Sequence, residues 1–167
     1  MEIQQEFSIN ASCDHVWDIL GNQYAQVDNW ASSVYASHQH SFGSILPDAP
    51  CAGRICETSL GKFQETITHY DEQRRQVAYT AIGEKIPFFV KHLTNHWTVN
   101  AFENQTATVT MCLKVSILPI FNVVMGPIMR RQMEATVKTV VEDLIYFAET
   151  DTPHPRKGDI QHRLKVA

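Results

Sequence analysis

The sequence has few of the features that mark nucleotide-binding or hydrolytic proteins. It contains only seven glycines in 167 residues, and none of them forms a glycine-rich phosphate-binding loop. No serine lies in the Gly-x-Ser-x-Gly pattern of a nucleophile elbow. These absences argue against nucleotide chemistry and serine hydrolysis, and no cofactor is indicated. They leave open proton-transfer chemistry of the kind that cyclases perform.

Metal and disulfide signals are also lacking. The four cysteines, Cys13, Cys51, Cys56 and Cys112, form neither a Cys-x-x-Cys pair nor a zinc-ligand spacing. We therefore expect four free thiols in a reducing compartment.

Long apolar runs and a strong charge imbalance are absent as well. No apolar run reaches 18 residues, so no transmembrane helix is expected. The first ten residues do not resemble a signal sequence, which favours a cytoplasmic protein. The net charge of −4 gives no indication of a nucleic-acid surface.

What is present is a single globular domain. A hydrophobic content of 44% over 167 residues is enough to bury one core of ordinary size. We assign residues 1–150 to this domain. Residues 151–167 contain Pro153, Pro155, Gly158 and scattered charge, which predicts a flexible tail.

Alternating apolar residues predict an antiparallel sheet. Ile3, Phe7 and Ile9 share one face of a first strand. Ser12 is a helix N-cap signal, and two short helices are predicted between it and Trp30. Residues 33–118 then show strand after strand with short turns, which gives about seven strands in an antiparallel meander.

One long helix follows, with Gly126-Pro127 as its predicted start and Glu149 near its end. Its apolar stripe recurs at helical spacing. The members of this stripe are Met125, Met129, Met133, Val137, Val140, Leu144 and Ala148. An antiparallel sheet wrapped on one helix encloses a volume, so an α+β fold with an internal cavity is predicted.

Three segments resemble the START/polyketide-cyclase (SRPBCC) superfamily. They are Val16-Trp17-Asp18-Ile19-Leu20 after the first strand, the strand-turn-strand segment Gly61-Lys62-Phe63-Gln64-Glu65, and the terminal helix 127–149. The resemblance covers about residues 2–149. It implies the helix-grip fold, in which a curved seven-stranded sheet wraps around the long helix and an apolar cavity lies between the sheet and the helix. Members bind lipids, sterols, quinones, polyketides or plant hormones; others are cyclases or co-chaperone domains.

Glu65 is the sharpest candidate for a binding role. It shares a strand face with Phe63 and Ile67, so it is predicted to point inward. A buried carboxylate needs a partner. Two interpretations stay open, namely a polar group facing a ligand and an ion pair with a neighbouring strand, for example with Arg54.

The histidines offer weaker signals. His38 and His40 are two residues apart on the predicted apolar face of their strand, so they are candidates for cavity hydrogen bonding, for a metal site or for a structural role. His69 follows Ile67 on the face of Glu65, and it is a candidate base near neutral pH.

Further candidates lie at positions predicted to face the interior. Tyr79 and Asn95 are suited to orient a polar group of a ligand. The remaining candidates for ligand contact are Trp30, Phe63, Trp97, Met111, Met125, Met129 and Met133. Methionine suits adaptable apolar sites, although each of these side chains also fits simple core packing.

The pattern favours binding of a small hydrophobic molecule, such as a lipid, polyketide or quinone, with no metal. The first alternative is an aromatase/cyclase that uses Glu65 or His69 as acid or base. The second is a co-chaperone-like interaction domain with a filled interior.

Overall fold

A single curved antiparallel sheet dominates the fold. The computed structural model describes residues 1–103 and 105–166, with the backbone alone for residues 122, 124 and 161–166. The seven strands are arranged in the order β1-β7-β6-β5-β4-β3-β2. They are β1 (Glu2–Ile9), β2 (Val34–Gln39), β3 (Gly53–Thr58), β4 (Gly61–Asp71), β5 (Gln76–Gly83), β6 (Val90–Ala101) and β7 (Ala107–Ile117). Strands β2 to β7 form the predicted meander, and β1 extends the sheet beside β7.

The two short helices lie where the sequence predicts them. Helix α1 (Cys13–Trp17) begins at Ser12, whose Oγ accepts a hydrogen bond from the His15 amide at 3.2 Å. The chain continues through a wider helical turn, Asp18–Asn22, into a 3₁₀ helix, Tyr24–Asn29. This segment carries Val16, Ile19 and Tyr24 into the core, and it covers one end of the sheet.

The long helix α2 (Pro119–Thr150) begins earlier than predicted. The predicted start at Gly126-Pro127 is wrong, and Pro127 lies inside the helix. The first turn is held by apolar contact with the β5–β6 loop. The rings of Phe121 and Phe89 stack with 4.9 Å between centroids, and the Leu118 amide donates to the Phe89 carbonyl oxygen at 2.9 Å. The helix continues through Pro127, which supplies no N–H for the backbone hydrogen bond at that position.

A third helix, α3 (Pro155–Val166), occupies the segment for which a flexible tail is predicted. Lys157 is buried, and its Nζ donates to the carbonyl oxygens of Ala31 and Val34 at 2.9 Å each. Beside it, Arg156 forms a salt bridge with Glu142 of α2, with 2.8 Å between Nη2 and Oε2. Composition alone did not reveal this anchor, because its acceptors are backbone oxygens more than a hundred residues away.

The anchor predicts a pH effect on stability. Burial lowers the pKa of Lys157 below its ordinary value of 10.5. The pKa of Lys157 is thus lower in the folded protein than in the unfolded chain, where it is about 10.5. At a pH between the folded and unfolded pKa values the unfolded chain binds more protons, so the free energy of unfolding rises with pH. Below that window the cost of the buried charge is fully present. We expect wild type to gain stability relative to Lys157→Met as the pH rises towards 10.5, measured by urea unfolding. A difference that does not change with pH would contradict this account.

The core lies between the concave face of the sheet, the short helices and α2. Val77, Val99 and Val109 project from the sheet, while Val137 and Leu144 project from α2. Among the described helices, none is both long enough and apolar enough to cross a membrane.

Candidate functional site

A cavity of about 320 Å³ lies inside the domain, between the concave sheet face, the short helices and α2. Its wall is mostly aliphatic and aromatic. Eight of the predicted contact residues line it, namely Trp30, Phe63, Glu65, Tyr79, Asn95, Trp97, Met111 and Met133. The volume and the apolar wall are typical of small-molecule sites.

Arg54 and Glu65 form an ion pair in the wall of this cavity. They lie directly opposite each other on β3 and β4, and Arg54 Nε is 2.6 Å from Glu65 Oε2. The Tyr24 hydroxyl donates to the same carboxylate oxygen at 3.1 Å. Arg54 Cζ also lies 4.1 Å from the centroid of the Tyr24 ring, which is cation–π geometry. The ion pair between Glu65 and Arg54 is therefore present, and Glu65 also lines the cavity.

The electrostatics keep this cluster close to neutral overall. Burial by itself would lower the pKa of Arg54, but the Glu65 carboxylate opposes it and the net pKa lies well above its usual value. Burial, followed by the charge of Glu65, raises the pKa of Tyr24 well above its ordinary value. The arginine therefore stays charged against its carboxylate, and the phenol stays neutral.

Tyr79 and Asn95 form a second polar pair in the wall. They are opposite each other on β5 and β6, and Asn95 Nδ2 donates to the Tyr79 hydroxyl oxygen at 3.0 Å. Burial raises the pKa of Tyr79, so this phenol is also neutral. Asn95 is only 7% exposed, and its Oδ1 accepts no hydrogen bond from any described residue.

His38 and His40 do not line the cavity. A register shift between Val34 and Ala36 reverses the alternation of β2, so His38 is exposed. His40 is buried, but its Nε2 bonds the Glu65 carbonyl oxygen at 2.8 Å and its Nδ1 accepts from the Phe42 amide at 3.1 Å. Of the alternatives for His40, the structural role fits these bonds. Within the described residues, no three His, Cys, Asp or Glu side chains are placed to hold a metal ion.

The prediction that His69 faces the interior is wrong for the same reason. A register shift between Ile67 and His69 in β4 places two consecutive residues, Thr68 and His69, on the outside, and Tyr70 is buried instead. His69 lies near His96, with 6.2 Å between ring centroids. It cannot act as a base on a molecule in this cavity.

The methionine stripe contributes one residue to the wall. Met133 lines the cavity, whereas Met125 and Met129 do not. Met129 is buried and Met125 is half-buried. Because a helix rises 1.5 Å per residue, they lie about one and two turns away, in the extended start of α2.

Other lining residues had no clear signal in the sequence. Tyr24 and Val27 lie in the segment of the two predicted short helices, and nothing in the sequence marks them as cavity residues. Cys56 alternates with Arg54 on β3 and so faces the same way; burial raises the pKa of its thiol to about 11. Val137, one turn beyond Met133, could have been found from the apolar stripe of the helix.

The cavity reaches the surface near the β3–β4 turn. Leu60 in this turn lines the cavity and is 59% exposed, and Thr136 of α2 also contributes to the wall. The neighbouring β5–β6 loop meets the start of α2, where the rings of Phe88 and Phe121 are 5.4 Å apart. Three exposed apolar side chains belong to these two segments: Phe88, Ile120 and Val123.

A curved antiparallel sheet that surrounds one long helix and leaves an apolar cavity between them defines a START-like helix-grip protein. The model of the family described as "Polyketide cyclase / dehydrase and lipid transport" matches residues 1–145, and the chain belongs to that family. This confirms both the fold and the superfamily that the sequence predicted. No curated protein matches the chain in sequence.

Solved structures show the same fold at low identity. A START superfamily protein from Mycobacterium smegmatis is 14% identical with a TM-score of 0.69, over 90% of this chain and 99% of that one. A protein from Nitrosospira multiformis is 13% identical with a TM-score of 0.67, over 90% and 98%. Norcoclaurine synthase from Thalictrum flavum, in complex with dopamine and hydroxybenzaldehyde, is 15% identical with a TM-score of 0.61, over 87% and 86%.

Proposed function

We propose that this protein binds a small hydrophobic molecule, of the lipid, polyketide or quinone type, in the internal cavity. The observation that carries the proposal is a mostly apolar space of about 320 Å³ whose charged and amide side chains belong to two clusters, Arg54 with Glu65 and Tyr24, and Asn95 with Tyr79. Burial of the ligand's apolar surface provides most of the affinity, at ~25 cal/mol per Å², less the cost of association. The family's description, which includes lipid transport, supports the same class of ligand.

The polar clusters orient the bound molecule. Glu65 is held by Arg54 and Tyr24, so it presents a fixed, charge-compensated surface. Tyr79 and Asn95 stand on the adjoining strands, with polar atoms in the cavity wall. One polar end of a ligand therefore meets this side of the cavity, and the rest meets Phe63, Trp97 and the helix.

Binding is favoured over the two alternatives. A cyclase would need an acid or base in the cavity, but His69 lies outside it, and among described residues Glu65 is the one carboxylate in the wall. That carboxylate is already bound, to Arg54 at 2.6 Å and to the Tyr24 hydroxyl at 3.1 Å. A co-chaperone-like domain needs no open interior, whereas this one holds a cavity.

Filling the cavity tests the proposal. Ala81 lies on β5 in the cavity wall, so Ala81→Trp places an indole in the space that a ligand needs. We expect the affinity for an environment-sensitive apolar dye to fall at least tenfold, which corresponds to about 1.4 kcal/mol. Dye fluorescence titration measures the affinity, and native mass spectrometry of the purified protein reports any molecule that copurifies.

The neighbouring residue provides the control. Ile82 on the same strand is 74% exposed, so Ile82→Trp adds the same indole on the outer face. It is expected to leave dye affinity within about twofold of wild type. Equal loss in both variants, or no loss in either, would count against binding inside the cavity. Thermal unfolding of each variant verifies that it is folded.

A further inference from the structure

Asn95 has a buried acceptor that the protein does not use. Its Nδ2 donates to Tyr79, whereas its Oδ1 is buried and accepts nothing from the described residues. Buried polar atoms are nearly always hydrogen-bonded, because leaving one unpaired costs the desolvation of that atom. Asn95 is a residue of the cavity wall, so a molecule bound there can bring a donor to this oxygen with a small shift of the side chain.

The Tyr79 hydroxyl complements this acceptor. Its oxygen accepts the Asn95 bond, and among the described residues it makes no donated hydrogen bond. A phenol has one proton to donate. Burial raises the pKa of Tyr79, so that proton is retained. Tyr79 and Asn95, which are directly paired on β5 and β6, therefore hold one unused donor and one unused acceptor.

The charges in the wall disfavour an anion. Arg54 is the cation of the described cavity wall, and it is already bound to Glu65 at 2.6 Å and to the Tyr24 carbonyl oxygen. Recruiting Arg54 for a ligand carboxylate would break this buried pair and leave Glu65 uncompensated. An ionised ligand would also lose its own hydration in an apolar space.

From these three observations we propose that the cavity selects hydrophobic molecules that carry a neutral hydroxyl group, an alcohol or a phenol, which donates to Asn95 Oδ1 and accepts from Tyr79. A hydroxyl group is both donor and acceptor on a single oxygen atom, and an alcohol or a phenol such as 2-naphthol is uncharged at neutral pH. This inference rests on the proposed function, because it names the ligand class of the same cavity.

Three probes of one shape test the proposal. 2-Naphthol carries the hydroxyl, 2-methoxynaphthalene lacks the donor, and 2-naphthoate carries a negative charge. At neutral pH we expect wild type to bind 2-naphthol about tenfold more tightly than the ether, because only the hydroxyl satisfies Oδ1. The carboxylate is expected to bind more weakly than the naphthol. Probe fluorescence and calorimetry measure the three dissociation constants.

A matched pair of variants assigns the preference to Asn95. Asn95→Leu keeps the approximate shape but removes the acceptor, so the preference for naphthol over the ether should fall to within about twofold. Asn100→Leu, on an exposed position of the same strand, should retain the tenfold preference. The comparison of probes on wild type needs no variant, so it still decides the matter if Asn95→Leu does not fold.

The outcomes separate the two proposals. If wild type binds naphthol and its ether equally, or binds naphthoate most tightly, hydroxyl selection is overturned while a hydrophobic binding cavity stands. Equal preference in wild type and Asn95→Leu would also overturn it, since the preference would then not depend on Oδ1. If none of the probes and no apolar dye binds, the proposed function itself fails.

Discussion

Arg54→Met is expected to lower the free energy of unfolding by about 3–5 kcal/mol, the usual cost of removing one partner from a buried ion pair. The side chains of Arg54 and Glu65 are only 8% and 13% exposed. Without the guanidinium, the Glu65 carboxylate keeps the Tyr24 hydroxyl as a partner but loses its compensating charge. Urea unfolding monitored by tryptophan fluorescence measures the effect.

Two further variants show whether the loss comes from the unpaired charge. In the double variant Arg54→Met/Glu65→Met no charged side chain remains in the described cavity wall, so most of the stability should return. Arg130→Met breaks an exposed pair with Glu134 within helix α2, and it should cost less than about 1 kcal/mol. If Arg54→Met and Arg130→Met were equally mild, the Arg54–Glu65 pair would not be a stabilising element of the wall.

Gly53→Ala is expected to cost about 3 kcal/mol, at the upper end of the range for overpacking. Gly53 begins β3 opposite Thr66. A Cβ there would fall well inside contact distance of the Glu65 carbonyl oxygen and 2.6 Å from His40 Nε2. The backbone of β4 cannot move away without breaking the strand pairing. The change in urea midpoint, at constant slope, measures the loss.

Gly158→Ala is the control for this substitution. Gly158 lies in helix α3, and an added Cβ meets no atom within 4 Å. Alanine is the better helix former, so stability should be unchanged or rise by up to about 1 kcal/mol. We attribute the approach of His40 to the Glu65 carbonyl oxygen to the missing side chain at Gly53. If Gly53→Ala changed stability as little as Gly158→Ala, this explanation would be wrong.

These two predictions concern contacts that sequence patterns reveal only in part. The alternation of β4 predicted correctly that Phe63 and Glu65 point inward. It offered Arg54 only as one example of a partner, since the register that places Arg54 opposite Glu65 belongs to the assembled sheet. The strand pattern marks His40 as a candidate for a binding or structural role. Its hydrogen bond to the Glu65 carbonyl oxygen depends on the space beside Gly53, which is distant in sequence.

The errors have a common cause in the sheet. Period-two reasoning assumes an uninterrupted strand, and a bulge reverses every side chain that follows it. The register shifts after Val34 and after Ile67 therefore turned His38 and His69 outward. In β5 and β6 the pairing is regular through Tyr79 and Asn95. Both of these side chains line the cavity as the pattern predicted.

The sequence by itself determined the class of fold, because hydrophobic periodicity, turn residues and the apolar stripe of the helix are local properties. They can be read without knowing how the strands pair. Only the tertiary structure decided the site. The strand register placed Arg54 opposite Glu65. Two bulges turned His38 and His69 away from the cavity. The pairing of Tyr79 with Asn95 left Asn95 Oδ1 buried without a donor from the described residues. Those contacts join residues far apart in the chain, so their geometry exists only once the sheet has closed around its helix.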